Sequence, residues 1–516
     1  RAVARRAHRE PAAHVVLILV LVHAAVDADD DRVHVHASRA RRSAAARRTL
    51  ISLDRVDDVL GDAVERAVAA HHRRRLARRG HHPVGAPAGG WADGGSFPPR
   101  AGNRVELLVD GAELLPRIVA DVTAAQSHVH VAGWFFTPSF RMGEDGPTLR
   151  GLLADAASRC AVRVIAWAGA PLPLFHPDRG EVRAMRDELT RGTSIELHLD
   201  AKERPMHCHH EKLVVVDDRV AYVGGLDLTT YAGNRLDNSD HPSRVGVGWH
   251  DACLRIEGPA AADVAAHFAL RWPDRLAAPA VAPAAPDGIE AQLVRTVPEH
   301  VYDGLPHGEF TILESYLRGV RSAERFVYLE SQFLWAPEVV RALGAKLRGP
   351  VRDDFRAVVL LPAKPNNGAD DTRGQLGVLI DCDRGAGGAQ RFLACTLFQR
   401  GDHGRPVYVH AKVGIVDDAW LTVGSANLNG HSFYNDTEVN AVVRDPAFVR
   451  AARLRLWSEH LEQDVSPDAD PARIVDELWR PSAEAESQHR KLRLLEGVSR
   501  RSRALWGPLN GLIVDG

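Results

Sequence analysis

The sequence has little cysteine, little lysine and no apolar run long enough to cross a bilayer. Its five cysteines among 516 residues are odd in number and scattered, which argues against a disulfide framework and predicts reduced, mostly buried thiols. The longest apolar run, Val15–Val22, is too short for a membrane-spanning helix. The formal net charge of −2 gives no broad attraction to nucleic acid, so we expect no specific nucleic-acid partner.

The first hundred residues differ in composition from the rest. Arginines before the apolar run are typical of a secretory signal, whereas Asp29–Asp31 and a poor cleavage site argue against one. From Pro83 to Gly102, Gly and Pro dominate and are typical of a linker. We therefore expect residues 1–102 to be a disordered or unreliable leader with a linker, and localisation stays open between cytoplasmic and secreted.

From Asn103 onward, patterns of strands and helices alternate, which predicts an α/β fold. The pattern recurs in the second half of the chain, and a repeat of this length indicates two domain-sized copies. The predicted strands of the two copies are Val129–Phe136, Val162–Trp167 and Ile195–Leu199, then Phe326–Leu334, Phe355–Leu361 and Leu393–Phe398. The expected segments are a first domain over 103–275, a linker over 276–288, a second domain over 289–465 and a helical tail over 466–516.

The repeat is sharpest around two polar motifs. Each copy contains the pattern HxKxxxxD followed by a glycine loop, at positions that differ by 200: His210, Lys212, Asp217 and Gly224 to Asp227, then His410, Lys412, Asp417 and Gly424 to Asn427. Each block predicts a β-hairpin with an Asp-Asp turn. Because residues i and i+2 of a strand point to the same face, each histidine should project together with its lysine.

A histidine beside a lysine suits the chemistry of a phosphodiester. A neutral imidazole can attack phosphorus, a protonated imidazole can give a proton to the departing alcohol, and an ammonium neutralises the non-bridging oxygens. The chain has 59 arginines and six lysines, yet two of those six occupy the same motif position. One such motif would be a weak signal, but two complete copies predict a catalytic pair.

These blocks resemble the twin HxKxxxxD motifs of the phospholipase D superfamily. Three further stretches resemble its phospholipase D branch: Trp249-His250-Asp251, Tyr328 to Phe333, and Asn427-Leu-Asn429 followed by Asp436-Thr-Glu438. The likeness covers about residues 103–465. It implies two repeated α-β-α sandwich domains with mixed sheets, related by a pseudo-twofold axis, with one active site at their interface.

The resemblance also implies roles for individual residues. His210 is expected to be the nucleophile that forms a phosphohistidine and His410 the acid and base, although the order could be reversed. Asp237 and Glu438 would orient the two histidines, as a carboxylate does in a catalytic triad. The other expected roles are phosphate contacts for Lys212, Lys412 and Asn427, further substrate contacts for Asp227, Ser425 and Gln332, and bracing of the hairpin turns for Asp217 and Asp417.

The sequence departs from the family pattern in three places. Asp227 stands where the second copy has Asn427, which puts its contact with phosphate in doubt. His431 occupies a position where the family often has arginine, and Leu236 replaces a common tryptophan. None of these changes removes a catalytic group.

The run from His207 to His210 contains three histidines and a cysteine and could be mistaken for a metal site. Adjacent residues of a strand point to opposite faces, so these four side chains cannot all reach one ion. We expect no metal and no cofactor in the reaction.

Three enzymatic functions fit the motifs. The first, which we favour, is a phospholipase D that cleaves the headgroup phosphodiester of phospholipids at a membrane surface, acts as a monomer and can transfer the phosphatidyl group to alcohols. The second is a cardiolipin-synthase-like phosphatidyltransferase, and the third is a nuclease, for which a basic groove would be expected. A non-catalytic lipid-binding or scaffold protein is a fourth interpretation, but it predicts a broken motif, and both motifs here are complete.

Overall fold

The computed structural model of the chain describes residues 63, 65–171, 175–204, 207–231, 233, 235–243, 246–366, 369–385, 390–401, 404–485 and 490–495. The signal-like run Val15–Val22 lies outside these residues. None of the helices in the described ranges combines the length and apolar character needed to cross a bilayer.

The first copy of the repeat contributes eight strands and four helices. The strands are β1 (Arg100–Val109), β2 (His128–Gly133), β3 (Ala161–Trp167), β4 (Glu196–Asp200), β5 (Leu213–Val216), β6 (Val220–Gly224), β7 (Gly248–His250) and β8 (Ala252–Glu257). The helices are α1 (Asp110–Thr123), α2 (Leu149–Ala157), α3 (Arg179–Thr190) and α4 (Ala261–Arg271).

The second copy contributes the remaining elements. The strands are β9 (Ile289–Val297), β10 (Glu309–Phe310), β11 (Phe326–Glu330), β12 (Arg356–Leu360), β13 (Phe392–Phe398), β14 (Pro406–Val409), β15 (Val413–Val416), β16 (Trp420–Gly424), β17 (Glu438–Val443) and β18 (Leu492–Leu494). The helices are α5 (Thr311–Ser322), α6 (Pro337–Arg348), α7 (Ala369–Gly385), α8 (Gly430–Tyr434), α9 (Pro446–Leu461), α10 (Pro471–Ile474) and α11 (Arg480–Glu484).

The two copies have the same sheet topology. In the first, the strand order is β4-β3-β2-β5-β6-β8-β1, and in the second it is β13-β12-β11-β15-β16-β17-β9. The first three strands of each order run parallel and the others pair antiparallel. This duplicated mixed sheet confirms the predicted α/β fold of two repeated domains.

The sheets are buried on both faces, which explains why their strands read as continuous apolar runs. In β5, Val215 belongs to the large core between the two sheets, together with Ile415 of β15 and Phe268 of α4. Its neighbours Val214 and Val216 belong instead to the core under α1 and α2. Alternate residues of one strand therefore hold together the two halves on one side and their own helices on the other.

The two hairpins turn on the Asp-Asp pairs, as the sequence predicts. Asp217 and Asp417 have φ of 54° and 53°, in the left-handed region that the favoured hairpin turns require. The carboxylate of Asp217 accepts the backbone N–H groups of residues 126–128 at 2.8–2.9 Å, and that of Asp417 accepts those of residues 324–326 at 2.7–2.9 Å. Both aspartates thus hold the turn to the start of a neighbouring strand.

Residues 65–99 differ from the disordered leader and linker that we expected. Residues 65–77 are helical, and Leu76 and Ala92 are buried against the second copy. Arg75 binds the carboxylate of Glu299 at 2.7 Å, and Gln292 bonds to both backbone groups of Ala92. Because this segment is polar and rich in arginine, its composition does not indicate that a few apolar residues pack it against the second copy. The expected helical tail also contains a strand, β18, which pairs with β13.

We predict that Asp417→Ala lowers the free energy of unfolding by about 1–3 kcal/mol, because three backbone N–H groups, one of them at a buried residue, lose a charged acceptor. Urea unfolding followed by circular dichroism measures this change. Asp353→Ala, at an exposed position, is the matched control and should change stability by less than about 0.5 kcal/mol. Equal stability of the two variants would contradict the bracing role.

Candidate active site

The two motifs lie at equivalent places, each just before the first strand of its hairpin. His210 and Lys212 precede β5, and His410 and Lys412 precede β15. The backbone N–H of His210 donates to the carbonyl oxygen of Thr437 at 3.0 Å. Each motif is therefore anchored to the other copy, because the N–H of His410 likewise donates to the carbonyl oxygen of residue 250 at 2.8 Å.

The glycine loop of the first copy packs directly against the second motif. A Cβ at Gly225 would collide with the carboxylate of Asp251 and would lie 3.2 Å from the carbonyl oxygen of His410. Glycine is needed here because the backbone of one copy approaches the catalytic segment of the other. The sequence motif and the contact between the copies therefore depend on the same residue.

Each histidine bonds to a carboxylate of the opposite copy. His210 Nδ1 lies 3.0 Å from Glu438 Oε1, and His410 Nδ1 lies 2.8 Å from Asp251 Oδ2. A carboxylate accepts a hydrogen bond from Nδ1–H, so this contact leaves Nε2 of the neutral ring with its lone pair. The copies thus exchange the groups that fix the tautomer and orientation of their histidines.

Asp251, not Asp237 as expected, is the carboxylate that bonds to His410. Asp237 accepts the backbone N–H groups of residues 238 and 249 at 3.0 Å each. The pairing of strands shows that Asp251 is equivalent to Glu438, and this equivalence is not visible in the sequence. Gly224 pairs with residue 253 and Gly424 pairs with residue 440, so that Asp251 and Glu438 each lie two residues before the partner of the loop glycine.

Both carboxylates are held by further hydrogen bonds. Ser432 Oγ donates to Glu438 Oε1 at 2.6 Å, and Ser425 Oγ donates to Glu438 Oε2. Ser425, expected to contact the substrate, is fully buried behind the carboxylate and holds it instead. Asp251 accepts the indole N–H of Trp249 at 3.3 Å, and burial raises its pKa.

The lysines add positive charge beside the histidines. Lys212 Nζ donates to the carbonyl oxygen of His210 at 2.6 Å and lies 3.5 Å from Asp227 Oδ2, while Lys412 Nζ donates to the carbonyl oxygen of His410. Burial lowers the pKa of Lys412 to about 7. Burial, followed by the charges of Lys412 and nearby cations, also lowers the pKa of His410 well below its usual value, so this imidazole is neutral at pH 7.

Asn427 and Gln332 lie together beside the second motif. Asn427 Nδ2 donates to Gln332 Oε1 at 3.4 Å, and Gln332 Nε2 donates to the hydroxyl of Tyr408 at 2.9 Å. The ring of Tyr408 stacks on Trp249, whose centroid lies 4.8 Å from that of His410. These expected substrate-binding residues therefore form a wall next to His410.

Arg235 is a site residue that sequence reasoning missed. Its guanidinium carbon lies 3.4 Å from the ring centroid of Trp249, and the side chain is 6% exposed. Among the described residues, its Nε and Nη1 have no hydrogen-bond partner. Burial lowers its pKa to about 10, and the carboxylates of Asp227 and Asp251 partly offset that effect. A buried guanidinium with free donors is suited to binding an anion.

His250 links the two copies behind the site. Its Nδ1 lies 3.1 Å from Asp110 Oδ1, and its Nε2 lies 2.9 Å from Glu330 Oε2. Burial opposes a charge on this ring, but the two carboxylates outweigh it and raise the pKa of His250 well above its usual value. The resulting buried ion pairs join α1 and β7 of the first copy to β11 of the second copy, directly beside Asp251.

The other histidines near the first motif point to different partners, although residues 207–210 lie outside the strand expected from the sequence. His209 Nδ1 contacts the hydroxyl of Thr437 at 2.8 Å, while His207 Nδ1 contacts His431 Nδ1 at 3.1 Å. His210 alone of the three faces Glu438. The three histidines therefore lie in three separate environments.

Comparison with known proteins agrees with this arrangement. The family described as "Cardiolipin synthase, PLD-like domain" matches residues 374–458, which contain the second motif and Glu438. Phospholipase D A of Dictyostelium discoideum is 25% identical over 71% of this chain, and the major cardiolipin synthase ClsA of Bacillus subtilis is 23% identical over 66% of it. The chain spans 36% of the first relative and 66% of the second.

A solved structure shares the fold. The phosphatidylserine synthase of Haemophilus influenzae superposes with a TM-score of 0.50 at 11% sequence identity, over 74% of this chain and 89% of that one. The duplicated motif, the repeated sheet order and these relatives agree with one another. In these features the chain is similar to members of the phospholipase D superfamily.

Proposed function

We propose that this chain is a phospholipid phosphodiesterase that transfers a phosphatidyl group first to a histidine and then to water or an alcohol. The observation that carries the proposal is the reciprocal pairing of His210 with Glu438 and of His410 with Asp251. Two imidazoles that each present Nε2 beside a lysine provide a nucleophile and a proton carrier for one phosphorus.

In the first step, His210 Nε2 attacks phosphorus and the bond from phosphorus to the headgroup oxygen breaks. His410 donates a proton to that oxygen, so the headgroup leaves as a neutral alcohol. In the second step, His410 removes a proton from water or an acceptor alcohol, whose oxygen attacks phosphorus and displaces His210. The bond between His210 and phosphorus is thereby broken again, His410 regains the proton that it gave in the first step, and the two rings return to their starting states.

Binding of the anionic substrate favours the protonated form of His410, which the first step needs. His410 is neutral in the free site because burial and the nearby cations lower its pKa. A phosphate bound between Lys212 and Lys412 offsets those cations and raises the affinity of His410 for a proton. The general acid is therefore protonated when the anionic substrate is present.

Replacement of either histidine should abolish turnover, because nucleophile and acid act as a unit. We predict that His210→Ala and His410→Ala each lower kcat by at least about 10³-fold on phosphatidylcholine. His128→Ala, a partly buried histidine paired with Asp218 outside the site, is the control and should retain activity. A near-normal rate for either motif variant would refute the shared site.

The same assay separates the candidate functions. We expect release of the headgroup and, with ethanol present, formation of phosphatidylethanol. The matches to cardiolipin synthases favour a second candidate, a phosphatidyltransferase, which would convert phosphatidylglycerol into cardiolipin with little release of phosphatidic acid. Cleavage of single-stranded DNA without action on either lipid would instead support a nuclease.

The helix of residues 65–77 supplies a surface for an anionic membrane. Exposed arginines lie along this helix and just beyond its end: Arg66, Arg73, Arg74, Arg78 and Arg79. In the sheet register Thr296 pairs with Glu438, so the end of β9 lies level with the active site. Arg75 and Arg79 contact Glu299 and His300 just beyond that end. The basic face therefore lies at the catalytic end of the second copy.

We predict that Arg73, Arg74 and Arg78 changed together to Gln weaken binding to phosphatidylcholine vesicles containing phosphatidylglycerol by about tenfold to a hundredfold, since each basic residue contributes about 1 kcal/mol. Vesicle co-sedimentation at two salt concentrations measures the effect. Arg183, Arg191 and Arg384, also exposed, changed to Gln form the matched control. Equal loss in both variants would contradict a local membrane surface.

A further inference from the structure

Three buried polar side chains converge outside the phosphate-binding groups. His207 Nδ1 lies 3.1 Å from His431 Nδ1 and 3.4 Å from Asp436 Oδ1, and His431 Nδ1 lies 4.0 Å from Asp436 Oδ2. All three residues are at least nine-tenths buried. The first comes from the segment before the first motif, and the other two flank the segment that leads to Glu438.

A single proton on His207 Nδ1 cannot serve both His431 and Asp436. If His207 Nδ1 donates to His431, it has no proton for Asp436, and if it donates to Asp436, its nitrogen cannot accept from His431. Among the described residues, Asp436 Oδ2 has no hydrogen-bond partner. Two ring nitrogens and one carboxylate therefore converge, and one carboxylate oxygen is left without a hydrogen bond within the described part of the chain.

The spacing matches the edges of a small tetrahedral site. Bonds of about 2.0–2.1 Å from a zinc ion to nitrogen and oxygen place neighbouring ligand atoms about 3.3 Å apart. The separations of 3.1 Å between the two Nδ1 atoms and 3.4 Å from His207 Nδ1 to Asp436 Oδ1 lie close to that value, and His431 Nδ1 lies 4.0 Å from the other carboxylate oxygen. Asp436 Oδ1 also accepts the backbone N–H of Cys208 at 3.0 Å, which orients the carboxylate as buried ligands require.

We propose that His207, His431 and Asp436 bind one divalent cation of the zinc class, with water as a fourth ligand. The ion ties the segment that leads to His210 to the segment that leads to Glu438. It takes no part in the transfer of the phosphatidyl group. The inference therefore goes beyond the proposed function, and its failure would leave that function unaffected.

Another buried cluster shows why this one is distinctive. Around His250, both ring nitrogens already lie within 3.1 Å of a carboxylate, so protonation satisfies the ring. Glu459 nearby is neutralised by the ammonium of Lys491 at 3.0 Å. The His250 ring is thus satisfied by carboxylates on both sides.

Metal binding can be measured without any lipid substrate. Full-length protein, treated with a chelator and then freed of it, is titrated with Zn²⁺ by calorimetry and with Co²⁺ by visible absorption. We expect one ion per chain, tetrahedral Co²⁺ bands, and a rise in Tm when the ion is added. His207→Gln and His431→Gln should each weaken binding by at least about tenfold.

His128→Gln is the matched control, because both ring nitrogens of His128 already have partners, Asp218 Oδ1 at 2.9 Å and Ser127 Oγ at 2.9 Å. Circular dichroism of the metal-free variants establishes that they are folded before binding is compared. Absence of Zn²⁺ and Co²⁺ binding by the parent would overturn the proposal. Binding that persists in both His207→Gln and His431→Gln would overturn it equally.

Discussion

The hydrogen bond between each motif histidine and a carboxylate of the opposite copy is the interaction on which the site depends. Glu438 fixes Nδ1 of His210, and Asp251 fixes Nδ1 of His410. Neither motif histidine has its carboxylate partner in its own copy. The proposed chemistry therefore requires both halves, and the large core between the sheets holds the exchanged carboxylates in register.

The free site holds buried positive groups beside nearby carboxylates. Burial lowers the pKa of Lys412 and of Arg235 more than the carboxylates of Asp227 and Asp251 raise it. A bound phosphate adds further negative charge beside both cations. The stabilisation that the free site lacks thus becomes available when an anionic substrate binds, which favours binding and protonation of His410 together.

The sequence was sufficient to predict the duplicated α/β domains, the two hairpins and the histidine-lysine pairs, because these depend on local patterns repeated at a fixed offset. It was not sufficient to identify Asp251, because that carboxylate belongs to the other copy's histidine and its equivalence to Glu438 is visible only in the pairing of strands. Arg235 was missed for a similar reason, since its burial against Trp249 has no local signature. The docked helix of residues 65–77 was missed because few apolar residues form its contact face.

A phosphodiester with a nitrophenyl leaving group tests the shared site most directly, since nitrophenolate departs without a general acid. With a nitrophenyl phosphatidyl ester, we expect His410→Ala to release one equivalent of nitrophenolate and to accumulate a phosphatidyl adduct on His210, which mass spectrometry of an alkaline digest locates. His210→Ala should give neither the burst nor an adduct. An adduct on His410 in His210→Ala, with none in His410→Ala, would mean that the two histidines have the opposite roles but still share one site. Adducts in neither variant, or steady turnover by one motif alone, would contradict the account.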